Sequence, residues 1–206
     1  AWLQHFISKL APYGTAGIVL ANGSMSSEIA TEGQIRKELI ENDLVDCMVA
    51  LPSQLFYNTQ IPACLWFLAR NKTETTKFRN RTNEILFIDA RELGTMISRK
   101  QKELSETDID TITGMYHEWR RNPKDGLWLY KNIPAFCKSA NIQDVRKNNY
   151  VLTPGRYIDF KAAEDDGVAF EEKMQQLTST LKGQMQKANE IDETIKQNLA
   201  KIGYEL

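Results

Sequence analysis

The sequence predicts an α/β fold, and three observations carry that prediction. An amphipathic opening segment runs straight into Ala16 to Ala21 (AGIVLA), a continuous apolar run of the kind a strand covered on both faces displays. Two more apolar runs, Leu44 to Leu51 and Ile61 to Ala69, are separated only by Pro52 to Gln60, a loop of about nine residues that is too short for a crossover helix, so these strands are expected to be antiparallel neighbours. Beyond residue 168 the apolar residues step by threes and fours for over thirty positions, the signature of one long helix.

Each element has a local reason. Trp2, Phe6, Ile7 and Leu10 stand at helical spacing, and Pro12-Tyr13-Gly14 stops the helix. Asn22-Gly23-Ser24 turns the chain after the first strand, and Thr31 with Gln34 suggests a capping box for a helix over 32–41. Pro62 suits a strand beginning, where its missing N–H costs no ladder bond. A polar, basic stretch from Arg70 to Asn83 precedes a fourth strand, Ile85 to Ala90. Ser105 caps a predicted helix to Asn122 whose buried stripe is Ile109, Ile112, Met115, Tyr116 and Trp119. Asn141 caps a short helix to Lys147, and Pro154-Gly155-Arg156-Tyr157 reads as a turn pinned by its aromatic. The acidic hinge Glu164-Asp165-Asp166-Gly167 leads into the final helix. Three regions result: 1–104, a sheet-bearing part; 105–163, a helical extension and linker; and 164–206, the long helix.

Composition narrows the function. Of 206 residues, 26 are Lys or Arg and 27 Asp or Glu, for a formal net charge of −1, so no global basic field would hold a nucleic acid and any such contact must be local. The longest apolar stretch, Ile61 to Ala69, is far short of the ~20 residues that cross a bilayer, so no membrane span is expected. Cys47, Cys64 and Cys137 lack metal-ligand spacing and read as small buried thiols in a reducing cytoplasm. With two histidines, no Cys/His cluster, no G-x-G and no Pro-Pro pair, the chain shows no local catalytic, metal or phosphate-cradling constellation. It opens at Ala1 inside an amphipathic pattern and so reads as a piece of a longer polypeptide.

Four phrases in order, AWLQHFISKLAPYGTAGIVLANGSMSS, IRKELIENDLVDCMVALPSQLFYNTQIPACLWFLAR, ILFIDARELG and NNYVLTPGRYI, resemble the modification subunit of type I restriction–modification systems. The resemblance runs from Ala1 to about Phe160. It implies part of a Rossmann-like, S-adenosylmethionine-dependent methyltransferase sheet with an antiparallel terminal hairpin and a helical tail, belonging to a cytoplasmic enzyme that methylates adenine N6 in DNA. The family's cofactor-binding glycine loop and its Asn-Pro-Pro-Phe tetrapeptide precede the helix with which this chain begins. The resemblance therefore implies no catalytic residue here, no bound cofactor, and no activity for these residues alone. It also implies that the first strand abuts strands not in this sequence, leaving an apolar edge and face that would otherwise be covered and that favour self-association or modest stability.

What the family places in this part is an aromatic side chain in the loop between the last two strands, against the base extruded from the duplex. By position, Phe56 and Tyr57 are the residues implied, with Asn58 and Thr59 as polar neighbours. The blander reading makes Phe56 a buried loop anchor and Tyr57 a surface residue. Arg70, Lys72, Arg79 and Arg81 suit a phosphate track, although a solvated loop accounts for them as well. The tail helix is implied to contact the specificity subunit, within a complex that also holds a restriction subunit. Its seam is Leu177, Leu181, Met185, Ile191, Ile195 and Leu199; thirty-five helical residues at ~1.5 Å span about 50 Å, longer than such a domain is wide. The alternative, from another class, is a non-enzymatic α/β scaffold that presents this helix to a partner.

Overall fold

A computed structural model describes residues 2–29, 31–123, 129–160, 170–201 and 203–204. The chain divides into two compact units, Ala1–Lys161 and Ala162–Leu206. The first holds helices α1 (Trp2–Lys9), α2 (Glu32–Glu41), α3 (Glu106–Arg120) and α4 (Ile142–Lys147) and strands β1 (Thr15–Ala21), β2 (Val45–Ala50), β3 (Ala63–Ala69), β4 (Glu84–Asp89), β5 (Thr95–Met96), β6 (Lys102–Glu103) and β7 (Cys137–Asn141). The second is built on α5 (Phe170–Lys201).

Five strands form one sheet in the order β1-β3-β2-β4-β7. β3 runs antiparallel to both neighbours, with Ile18 opposite Trp66 and Met48 opposite Trp66 across its two sides. The nine-residue loop therefore does what its length demands. β1, β2 and β4 all point the same way, and β2 pairs with β4 in parallel, Val49 beside Ile88. Their carboxyl ends thus lie along one rim of the sheet.

Alternation sends side chains into two cores. On one face Met48, Trp66, Leu68, Ile85 and Phe87 pack under α2 and α4, with Leu3 and Ile7 of α1 partly buried against them. On the other Cys47, Val49, Leu86 and Ile88 meet Ile112, Tyr116 and Trp119 of α3. The three cysteines are free and buried. Ser105 and Asp108 complete a capping box at α3, and Asn141 caps α4 by accepting from the Asp144 N–H at 3.0 Å. Tyr157 pins its turn by stacking on Phe87, ring centroids 3.9 Å apart and planes 8° from parallel.

Several expectations are corrected. β1 is covered on one face only: Ile18 and Leu20 point toward α1, while Val19 is 51% exposed and the strand's outer edge has no partner among the described residues. Continuous hydrophobicity could not distinguish a strand buried twice from one with a bare face. Thr31 does not make the predicted capping box, because its ψ of 3° is not the extended conformation that aims a cap side chain at the helix. Gln34 instead donates to Glu38 at 2.6 Å. Ile109 is 46% exposed, leaving Ile112, Tyr116 and Trp119 as the buried stripe of α3. Residues 105–160 are not an extension beside the sheet: β7 is its fifth strand, Leu86 opposite Ser139, and α3 covers one of its faces. CKSAN lacks the β-branched residues that mark a strand. The small β5–β6 hairpin is equally unannounced. The acidic hinge 164–167 lies outside the described residues.

Candidate functional site

The loop between β2 and β3 leaves the rim where β1, β2 and β4 end, the place at which open α/β sheets present ligand-binding loops. It is a built structure. Pro52 is buried, Leu55 turns into the core with Leu51 and Ala63, and Phe56 bridges to Thr59 across the tip. The Gln54 N–H donates to the Gln60 carbonyl at 3.4 Å, and Thr59 Oγ1 accepts from the Ile61 N–H at 3.2 Å. Leu55, whose apolar side chain belongs inside, is the anchor. That leaves Phe56 41% exposed, Tyr57 90% exposed, and Asn58 and Thr59 exposed beside them. Two adjacent aromatics held outward on a tied loop offer flat, apolar surface for stacking. The blander reading, in which Phe56 is the buried anchor, gives way on that residue because Leu55 fills the role, while Tyr57 lies at the surface as that reading has it.

The basic stretch behaves differently from its sequence expectation. Lys72 is buried; its ammonium donates to the Val45 and Glu84 carbonyls at 2.9 and 2.7 Å and pairs with Asp43 at 2.6 Å. Desolvation pulls its pKa below the usual lysine range and pushes Asp43 up. Arg81, 2% exposed, is paired with the fully buried Asp46 at 3.1 Å. Arg79 is bidentate to Glu84 at 3.2 and 2.7 Å, with its guanidinium 5.1 Å from the Trp119 ring centroid. These three cations hold β2, β4 and α3 together and are not a phosphate track. Carbonyls at strand ends and a buried carboxylate need donors, and the neighbouring loop supplies them. Only Arg70 of the four is exposed, and it too caps a backbone, donating to the Ile7 carbonyl at 2.8 Å.

A cleft of about 440 Å³ opens beside the end of β1, lined by Trp2, Leu20, Ser24, Arg36 and Trp66 among others. Its buried donors are already engaged. Arg36 reaches the Tyr150 and Ser27 carbonyls and Glu28, and Trp66 Nε1 donates to Ser24 Oγ at 3.0 Å. No group of three or more acidic, His or Cys side chains suited to a metal occurs among the described residues, and no described helix is long and apolar enough to cross a membrane.

The second unit presents the seam. Leu177, Leu181, Met185, Ile191 and Ile195 are between 45% and 62% exposed along a helix of 32 residues, about 48 Å long, with Leu199 less exposed near its end.

A family profile described as N-6 DNA Methylase matches residues 1–166. The chain belongs to this family. Among curated proteins it is 51% identical over 205 residues to the type I restriction enzyme HindI methylase subunit of Haemophilus influenzae, an alignment that covers all of this chain and 44% of that protein. The chain thus spans less than half the length of this methylase. Among solved structures it is similar to the type I restriction–modification methyltransferase subunit from Streptococcus thermophilus, with a TM-score of 0.57 and 28% identity over 71% of this chain and 27% of the other. A chain from a structure describing complex assembly and conformational transition of the type I restriction–modification system shares the fold over 95% of this chain and 39% of its own, with a TM-score of 0.56 at 17% identity. The mixed sheet seen here therefore belongs to a member of the N-6 DNA Methylase family.

Proposed function

We propose that this chain supplies the target-base loop and the assembly helix of a type I methyltransferase that transfers a methyl group from S-adenosylmethionine to adenine N6 in DNA. One observation carries the reading: a loop tied at its base by Leu55 holds Phe56 and Tyr57 outward at the rim where the parallel strands end. An enzyme acting on a ring amine must extrude the base, and the few kcal/mol of lost stacking are partly offset by aromatic faces that receive it. Phe56 is the stacking partner in this reading, because its bridge to Thr59 fixes its backbone, and Tyr57, Asn58 and Thr59 border the base.

The residues present do not make a site for the methyl donor. The cleft beside β1 has its buried donors engaged by the protein, and no G-x-G pattern is available to let a backbone approach the cofactor. The donor site and the groups that polarise the adenine amine belong, in this reading, to the remainder of the methylase. The exposed α5 seam is the contact for the subunit that reads the DNA sequence, in a complex that includes a restriction subunit, and the unpaired outer edge of β1 is where the rest of the sheet continues. An isolated chain would use the same surface to self-associate.

The test uses full-length methylase carrying this sequence, assembled with its specificity subunit, and counts tritiated methyl groups transferred to unmodified genomic DNA. Phe56→Ala is expected to reduce transfer at least tenfold with thermal stability retained, Tyr57→Ala less, and residues 1–206 alone to transfer none. Wild-type transfer by both loop variants would overturn the reading.

A further inference from the structure

The cations that the basic stretch places inside the protein leave open what positive charge accompanies the loop, and the β5–β6 hairpin answers it. Lys102 on β6 donates its N–H to the Gln54 carbonyl at 2.9 Å, which ties the hairpin to the loop two residues before Phe56. The hairpin is closed at both ends. At its base Gly94 has a φ of +83°, and a Cβ there would lie 2.8 Å from the Glu103 carbonyl oxygen, so a side chain is excluded by both conformation and space. At its tip the Ile97 and Ser98 N–H groups donate to the Gln101 carbonyl at 3.0 and 3.3 Å, forming a turn with Arg99 and Lys100 at its centre. Both are exposed, and neither has a side-chain partner among the described residues. Lys102 donates its own ammonium to the Leu93 carbonyl at 3.1 Å, so among the described residues of the hairpin Arg99 and Lys100 are the cations with unengaged side chains.

Resting on the reading that the loop receives an extruded adenine, we propose that the β5–β6 hairpin is a second DNA contact whose turn residues Arg99 and Lys100 bind backbone phosphates flanking the target base. Lys100 is two residues and Arg99 three from Lys102, so at ~3.3 Å per residue the turn lies at most about 10 Å from the Lys102 hydrogen bond. That is about three rises of one DNA strand at ~3.4 Å each, so the turn meets phosphates near the extruded nucleotide. Such contacts carry no sequence information and set the register of the duplex on the loop.

The decisive measurement is binding of a mixed-sequence DNA duplex to the full-length methylase as salt rises from about 50 to about 200 mM. Each lost phosphate contact shallows the slope of log K against log salt by about 0.9, so Arg99→Gln with Lys100→Gln is expected to flatten it by about 1.8 and to bind about tenfold more weakly at the lower salt. Lys147→Gln, on α4, is expected to leave the slope in place. An unchanged slope in the double variant, or an equal change in Lys147→Gln, would overturn the proposal. Arg99→Lys, which keeps the charge, is expected to bind as wild type; loss of binding there shows a folding defect in place of a phosphate contact and overturns it too. The underlying reading fails separately: if Phe56→Ala transfers methyl groups normally the base loop is wrong, whereas loss of transfer with an unaltered salt slope in the hairpin variant removes the hairpin contact alone.

Discussion

The Tyr116 hydroxyl on α3 donates to the Asp46 carboxylate on β2 at 2.6 Å, while Arg81 holds the other carboxylate oxygen at 3.1 Å. Asp46 is fully buried in the middle of the sheet, and both of its carboxylate oxygens are occupied by donors. Burial first, and then the adjacent carboxylate, push the Tyr116 phenol well above the usual tyrosine range, so it remains a donor at every working pH. Asp46→Ala leaves Arg81 buried without its partner and is expected to cost about 3–5 kcal/mol. Tyr116→Phe removes one donor to a charge and should cost about 1.5–3 kcal/mol. Urea unfolding checks both; losses below about 0.5 kcal/mol, the range of ordinary surface changes, would show that the triad does not hold the sheet.

Within the loop, stability and function should separate by residue. Leu55→Ala removes a partly buried anchor and is expected to destabilise by about 1–3 kcal/mol, toward the lower end of buried leucine truncations. Phe56→Ala and Tyr57→Ala touch exposed side chains and should stay within about 0.5 kcal/mol of wild type. Thermal melts of the three variants decide it. A Phe56→Ala variant as unstable as Leu55→Ala would make Phe56 a structural residue.

Acid should act through Glu41. Arg146 grips this carboxylate with two bonds of 2.9 and 2.6 Å, and Tyr150 adds a third at 2.7 Å. The arginine hydrogen bond, chiefly, lowers its pKa from 4.5 to about 2. Because the folded value is the depressed one, the stabilisation is complete above pH 4.5 and is lost as the pH falls toward 2. Glu41→Gln is therefore expected to be less stable than wild type at neutral pH, with the gap closing across that acidic window. A gap that stays constant with pH would show that the α2–α4 contact does not depend on this charge.

Charge placed on the seam of α5 should break association and nothing else. Leu181→Glu and Ile195→Glu alter residues that are 55% and 45% exposed, so the helix loses little by itself. Analytical ultracentrifugation of the full-length methylase with its specificity subunit is expected to show weaker assembly, with the circular dichroism of the helix retained. Undiminished assembly would assign the seam another partner.

Patterns that act over a few residues were readable in the linear chain. Apolar runs marked β1 to β4 because a strand buried on at least one face needs them, and a nine-residue connection left β2 and β3 no arrangement but antiparallel. Ser105 and Asn141 announced their helices because a cap is a contact between near neighbours. The location of the loop aromatics was legible too, through the order of its phrases. Packing decided what spacing could not express. Leu55, and not Phe56, became the anchor, since only the assembled core determines which of two adjacent apolar side chains faces inward. Lys72, Arg79 and Arg81 went inside because Asp43, Asp46 and Glu84, together with strand-end carbonyls, required donors. β7, with its short polar sequence, is a strand because β4 had an unfilled edge. Local propensity works through adjacent residues, whereas burial and charge pairing are set by neighbours that only the folded chain brings within reach.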